Sequence, residues 1–130
     1  AKDYRLKNVK FLDTTSDIAK IHKFLNTLNV YAHGRSDGEQ CSSSIIEGMS
    51  HSLPMISHTA PSMGQREQIG NAGKVVEGYE DYANEMSKLM YDKDYYTQCM
   101  NNSGKRYEEI YNVPSIISRF IGLYKEASNA

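Results

Sequence analysis

Short apolar runs alternate with segments of helical periodicity along this chain, and that alternation is the signature of a parallel sheet covered by helices. Residues 9–12 (V-K-F-L) make the first strand candidate. Thr14, Thr15 and Ser16 then offer N-cap chemistry for a helix whose Ile18, Ile21, Leu25 and Leu28 recur at spacings of three and four. Asn29 ends it, residues 30–33 (V-Y-A-H) form a second strand, and residues 34–38 (G-R-S-D-G) read as a strand-to-helix loop. The next helix is expected from near Ser42 to near Ser52, with Ile45, Ile46, Met49 and Leu53 as its buried stripe. Pro54 closes it and opens a third strand at residues 55–57.

Beyond Pro61 and Gly64, a short helical or turn segment at residues 66–69 leads to a fourth strand at residues 73–76. The remainder reads as helix. Tyr82, Met86, Leu89 and Met90 line one apolar face, and Tyr96, Cys99, Met100, Tyr107 and Ile110 another. Pro114 starts a last helix through Ile116, Ile117, Phe120 and Leu123. The expected fold class is therefore α/β: a Rossmann-like parallel sheet of about four strands flanked by helices, with further helices at the C-terminus. A doubly wound domain has six strands, so four describe part of one.

Charge and cysteine usage narrow the function classes. With a formal net charge of -1 and both signs interspersed, the chain lacks the one-sided positive field of a nucleic-acid binder. A bound phosphate must rely on backbone amides and helix ends. Cys41 and Cys99 have no C-x-x-C spacing, and His22, His51 and His58 have no metal-ligand spacing in sequence, so no metal site is expected. This usage fits a reducing, cytoplasmic setting. No apolar run approaches the roughly 20 residues that span a bilayer.

Ligands of open α/β sheets bind beyond the carboxyl ends of the strands, where loops meet helix N-termini. Residues 38–44 occupy such a place. A helix opening near Ser42 presents unpaired N–H groups and a positive dipole end, a site for a diphosphate, with Ser42, Ser43 and Ser44 adding hydroxyls. Glu47 falls about five residues into that helix, roughly 7 Å along its axis, near the distance from a pyrophosphate to its ribose. A carboxylate there can accept two charge-assisted hydrogen bonds from vicinal hydroxyls. Glu39, in the loop before the helix, sits where a transferred sugar would lie. An alternative reading takes Ser42 as a plain N-cap, Glu47 as a solvated helix residue and Glu39 as loop charge.

The stretch S-D-G-E-Q-C-S-S-S-I-I-E-G-M-S-H-S-L-P-M-I resembles the E-x7-E segment of retaining GT-B glycosyltransferases of the glycosyltransferase-4 type, typically E-G-F-G-L-x-x-x-E-A-M-A-x-G-x-P-V-I. Glu39 and Glu47 fall on its two glutamates. V-K-F-L-D is similar to the family's V-x-F-x-G strand, N-V-Y-A-H-G-R-S to D-V-F-V-x-P-S, and S-M-G-Q-R-E-Q-I and G-K-V-V-E to the G-G-x-x-E-x-I and G-x-L-V segments. The matches run in order over residues 9–89.

The resemblance implies a single domain over residues 1–130, the nucleotide-sugar-binding part of a GT-B C-terminal domain and half of a two-domain enzyme. The donor implied is a UDP-, GDP- or ADP-sugar, with no further cofactor. The partners implied are an N-terminal acceptor-binding domain, able to sit peripherally on a membrane, and a sugar, glycan, lipid or protein acceptor. It assigns the catalytic and donor-sugar contact to Glu39, the diphosphate to Gln40, Cys41, Ser42 and Ser43, and the ribose to Glu47. Gly64 and Glu67 match the family loop that closes over the donor, and Leu12 and Asp13 the strand end that meets the base, the alternatives being helix N-terminal charge for Glu67 and a plain strand end. By position alone, His33 and Arg35 border the same crevice near the phosphates and sugar, or are a hydrogen-bonded strand-end histidine and an exposed loop charge.

Two departures bear on activity. Glu39-Gln40-Cys41-Ser42 stands where the family has E-G-F-G, so side chains replace the glycines that allow close backbone approach. The family's paired Arg and Lys, which neutralise the leaving diphosphate, come from segments upstream of these residues, so this chain alone is expected to be inactive. The alternatives are a catalytically inactive nucleotide- or sugar-binding module of the same fold and a flavodoxin-like regulatory domain.

Overall fold

The computed structural model describes residues 6–34, 40–59 and 64–129. Helix α1 (Ile18–Leu25) leads to strand β1 (Tyr31–His33), α2 (Ser43–Ser50), β2 (Met55–His58) and α3 (Gly64–Ile69). A 3-10 turn (Gly70–Ala72) enters β3 (Gly73–Val76), followed by α4 (Gly78–Tyr91), α5 (Lys93–Arg106), a π-turn (Tyr107–Tyr111) and α6 (Val113–Ser128). The three strands form a parallel sheet in the order β1-β2-β3, with His33 opposite Ser57 and Ser57 opposite Val75.

Strand alternation assigns each side chain to a face. Tyr31, Met55 and Ser57 point toward α2 and α3: a Cβ on Gly48 of α2 would stand 3.0 Å from the Tyr31 ring and 3.2 Å from Met55 Cε. His58 and Lys74 point the other way, toward α4. There His58 stacks on Tyr82 at 5.0 Å, and Lys74 Nζ lies 3.7 Å from the carboxylate of buried Glu85. The Glu85 carboxylate also accepts from the Tyr95 hydroxyl of α5, and burial, with that hydrogen bond second, pushes the Tyr95 pKa well up.

The core lies on the α2/α3 face. Leu25, Ile45, Met49, Leu53, Met55, Ile69 and Ala72 form one buried cluster, and Tyr31, Tyr107 and Tyr111 pack around it. The last two come from the π-turn. The tyrosine bodies bury apolar surface while their hydroxyls find partners, as Tyr111 does at the Gln68 carbonyl oxygen, 3.3 Å away.

Four expectations are corrected. The sheet among the described residues has three strands, and residues 9–12 are not one of them; Val9, Phe11 and Leu12 are exposed. The doubly wound order 3-2-1-4-5-6 supplies the reason. Strands adjacent in both sequence and space, as these are, match positions 4-5-6, and a strand preceding them belongs at position 3, separated from position 4 by two strands. Residues 9–12 therefore have no neighbour to pair with.

Secondly, the cap of α1 is Asp17 rather than the preceding hydroxyl residues: its carboxylate accepts from the Ala19 and Lys20 N–H groups at 3.0 and 3.3 Å. Thr15 Oγ1 accepts from the Asp17 N–H instead, 3.1 Å away. Thirdly, Met90 is 67% exposed, because α4 turns only Glu85 and Leu89 fully inward. Lastly, α6 buries no residue at all: Ile117, Phe120 and Leu123 are each more than half exposed. No helix among the described residues is long and apolar enough to cross a membrane.

Candidate functional site

At the carboxyl ends of β1 and β2, the start of α2 faces α3 across a narrow gap. Ser42 is the N-cap residue of α2, extended at φ -96°, ψ 120°, and only 2% exposed. Its position is fixed by one side chain. Gln68 of α3 accepts from the Ser42 N–H through Oε1 at 2.9 Å and donates to the Ser42 carbonyl through Nε2 at 2.7 Å. That two-pronged pairing reproduces a strand-like backbone contact between a loop and a helix. Gln68 Nε2 also lies 3.7 Å from Cys41 Sγ.

The hydroxyl of Ser42 meets that of Ser44 at 2.8 Å and makes no cap hydrogen bond. No described side chain caps α2. The first-turn N–H groups of Ser43, Ser44 and Ile45 therefore lack the partner that a capping hydroxyl normally gives, and the positive end of the helix dipole goes unopposed by any acidic residue in that turn.

Gly64 brings the second wall in. A Cβ there would lie 2.0 Å from the Gln40 carbonyl oxygen, so the first turn of α3 touches the backbone of the loop before α2. The floor between them is polar. Ser57, fully buried, donates from Oγ to Gln65 Oε1 at 3.0 Å, while Gln65 Nε2 and Thr59 Oγ1 are buried with no hydrogen-bond partner among the described residues. Half-buried His33 ends β1 next to Ser57 and stacks along Tyr31, with ring centroids 6.4 Å apart. The hydroxyl of Tyr82 reaches the His33 carbonyl at 3.5 Å, and burial pushes the Tyr82 pKa up to about 12, so that hydroxyl stays protonated.

Gln40, Cys41, Ser42, Ser43, His33 and Gly64 are thus brought together. Glu47 lies on the exposed face of α2, opposite the buried Ile45, Gly48 and Met49, five positions after the cap and about 7.5 Å along the axis. Exposed Glu67 is held through its backbone, its carbonyl accepting from Arg106 Nη2 while the neighbouring Gln68 carbonyl accepts from Arg106 Nε at 2.8 Å. Leu12 and Asp13 lie outside the sheet, against α1 in a surface groove with Phe11, Lys20 and Phe24. Arg35 and Glu39 lie outside the described residues. The Ser42 N–H, expected from the sequence among the diphosphate donors, is taken by Gln68.

Gln65 and Gln68 escaped the sequence reading. Their one signal was the i, i+3 spacing beside Ile69, which turns both amides inward on a short helix. A cavity of about 570 Å³ bounded by Asn29, Val30, Leu89, Met90, Lys93 and Tyr96 opens at the amino end of β1, the end of an α/β sheet that does not ordinarily bind ligand.

No protein-family model matches the sequence, and no curated protein matches it. Among solved structures, that of Anabaena HepE in complex with UDP-glucose is similar, with a TM-score of 0.75 and 20% sequence identity over 93% of this chain and 33% of that one. The fold is Rossmann-like. The chain spans a third of HepE's length, and at that identity the likeness carries the architecture of sheet and helices rather than any ligand.

Proposed function

We propose that this chain is the donor-binding part of a retaining, GT-B-type glycosyltransferase and binds a nucleoside diphosphate sugar at the start of α2. The observation that carries the reading is the uncapped first turn of α2, held at the carboxyl ends of β1 and β2 by Gln68, with Glu47 one and a half turns further on. The resemblance of residues 39–47 to the E-x7-E segment supports it, as does the likeness to HepE, whose structure holds UDP-glucose.

In this reading the diphosphate takes the N–H groups of Ser43 and Ser44 and the hydroxyl of Ser43, with Gln40 and Cys41 lining the approach. Glu47 accepts from the two ribose hydroxyls. Glu39 meets hydroxyls of the transferred sugar, and His33 closes the strand side of the cleft. Transfer needs cations on the leaving diphosphate and an acceptor domain, both supplied from outside these 130 residues, so donor binding is the activity of this chain itself.

Calorimetric titration of variants tests the assignment. Glu47→Ala should weaken UDP and UDP-glucose alike by about 10-fold or more, the cost of losing charge-assisted hydrogen bonds of roughly 1.5–3 kcal/mol. Glu39→Ala should weaken UDP-glucose and leave UDP unchanged. Equal losses for both ligands in both variants would contradict the roles.

A further inference from the structure

At the end of α2 remote from the candidate site, two histidines separated by 29 positions in sequence meet. His22 Nδ1, on α1, lies 2.7 Å from Nε2 of His51, the C-cap residue of α2. The ring centroids are 5.0 Å apart and the planes tilt by 37°. On its other side His51 Nδ1 lies 2.8 Å from Oδ1 of Asn26, the C-cap residue of α1.

An amide oxygen can only accept, so His51 carries its proton on Nδ1 and directs the lone pair of Nε2 at His22. A metal-binding histidine is oriented in the same way, its second nitrogen donating to an oxygen that fixes tautomer and ring plane.

We propose that His22 Nδ1 and His51 Nε2 form a two-nitrogen site for a divalent transition-metal ion of the zinc type, with Asn26 as the positioning residue for His51. Two imidazole nitrogens at about 2.0–2.1 Å from a tetrahedral ion stand about 3.3–3.4 Å apart. The observed 2.7 Å therefore has to open by about 0.6–0.7 Å, a small rotation for an exposed side chain such as His22. Its proton passes from Nδ1 to Nε2 through solvent, so no proton is lost overall.

No group of three or more His, Cys, Asp or Glu residues among those described is arranged around a common point. Water completes the coordination, and the ion exchanges readily. Bridging ties the last turn of α1 to the end of α2, where α1 is otherwise held by buried Leu25 with Ile21 and Leu28. The ion sits about 12 Å from the start of α2, the length of that helix, and binds independently of any nucleotide.

Calorimetric titration of zinc chloride into the 130-residue chain at neutral pH is the test. One ion per chain is expected in the wild type, with more than tenfold weaker binding in His22→Ala and in His51→Ala. Asn26→Ala should lose about tenfold, the usual cost of removing an orienting partner. Zinc should raise Tm by about 5 °C in the wild type and leave His51→Ala unmoved, with circular dichroism confirming that each variant is folded. Absence of one-to-one binding, or less than a threefold change in either histidine variant, would overturn the site and leave a hydrogen-bonded imidazole pair.

Discussion

Gly64 and Glu47 show how differently single residues carry meaning in this chain. Gly64 matches a family loop glycine in sequence, and the fold gives it a packing reason: its α-carbon lies so close to the Gln40 carbonyl that a Cβ would stand 2.0 Å from the oxygen. Gly64→Ala should destabilise the chain by about 1–3 kcal/mol, the range for overpacking, with the shift in denaturant midpoint as the readout. An unchanged midpoint would mean that the loop yields freely. For Glu47 the placement alone was legible, on the exposed face of α2 five positions after the cap, because depth in a helix follows from residue count. Gln68 was not legible, since no local pattern says that a glutamine amide 26 positions away will pair with the backbone of Ser42.

Among the elements, β1, α2, β2 and β3 could be read from period and punctuation, and β3 falls on the expected residues 73–76. Residues 9–12 failed because strand propensity is local while pairing needs a neighbour, which the order β1-β2-β3 does not offer them. The start of α2 depends on tertiary support in the same sense, because Gln68 sets where its first turn points. Replacing Gln68 by Leu leaves the buried Ser42 N–H unpaired, at a cost of about 1–3 kcal/mol, and removes about 1 kcal/mol more with one of the two hydrogen bonds to the Ser42 carbonyl, which keeps the Ile46 N–H at 3.3 Å. Chemical denaturation should show a loss of about 2–4 kcal/mol. Amide exchange should be faster at Ser42 while the protection of β2 is kept at native denaturant levels. Uniform acceleration across the sheet would place the role of Gln68 in global stability alone.

Across the whole molecule, the sequence conveyed the fold class and missed what the last helix does. Val113, Ile116, Ile117, Phe120, Ile121 and Tyr124 recur at spacings of three and four along α6 and all stay exposed, from 37% at Ile116 to 75% at Tyr124. Periodicity announces an apolar stripe without saying what covers it. Phe120→Ser should therefore change the unfolding free energy of this chain by no more than about 0.5 kcal/mol, as exposed substitutions do, whereas burial against the core would have made it a loss of several.

Every role proposed around α2 depends on this fold binding a nucleoside diphosphate sugar. Calorimetric titration of UDP-glucose, GDP-glucose and ADP-glucose into the wild-type chain tests that most directly. Saturable one-to-one binding of at least one of them, competed by the matching nucleoside diphosphate, is the predicted result. No binding of any of the three at millimolar concentration, in a chain shown to be folded, would contradict it.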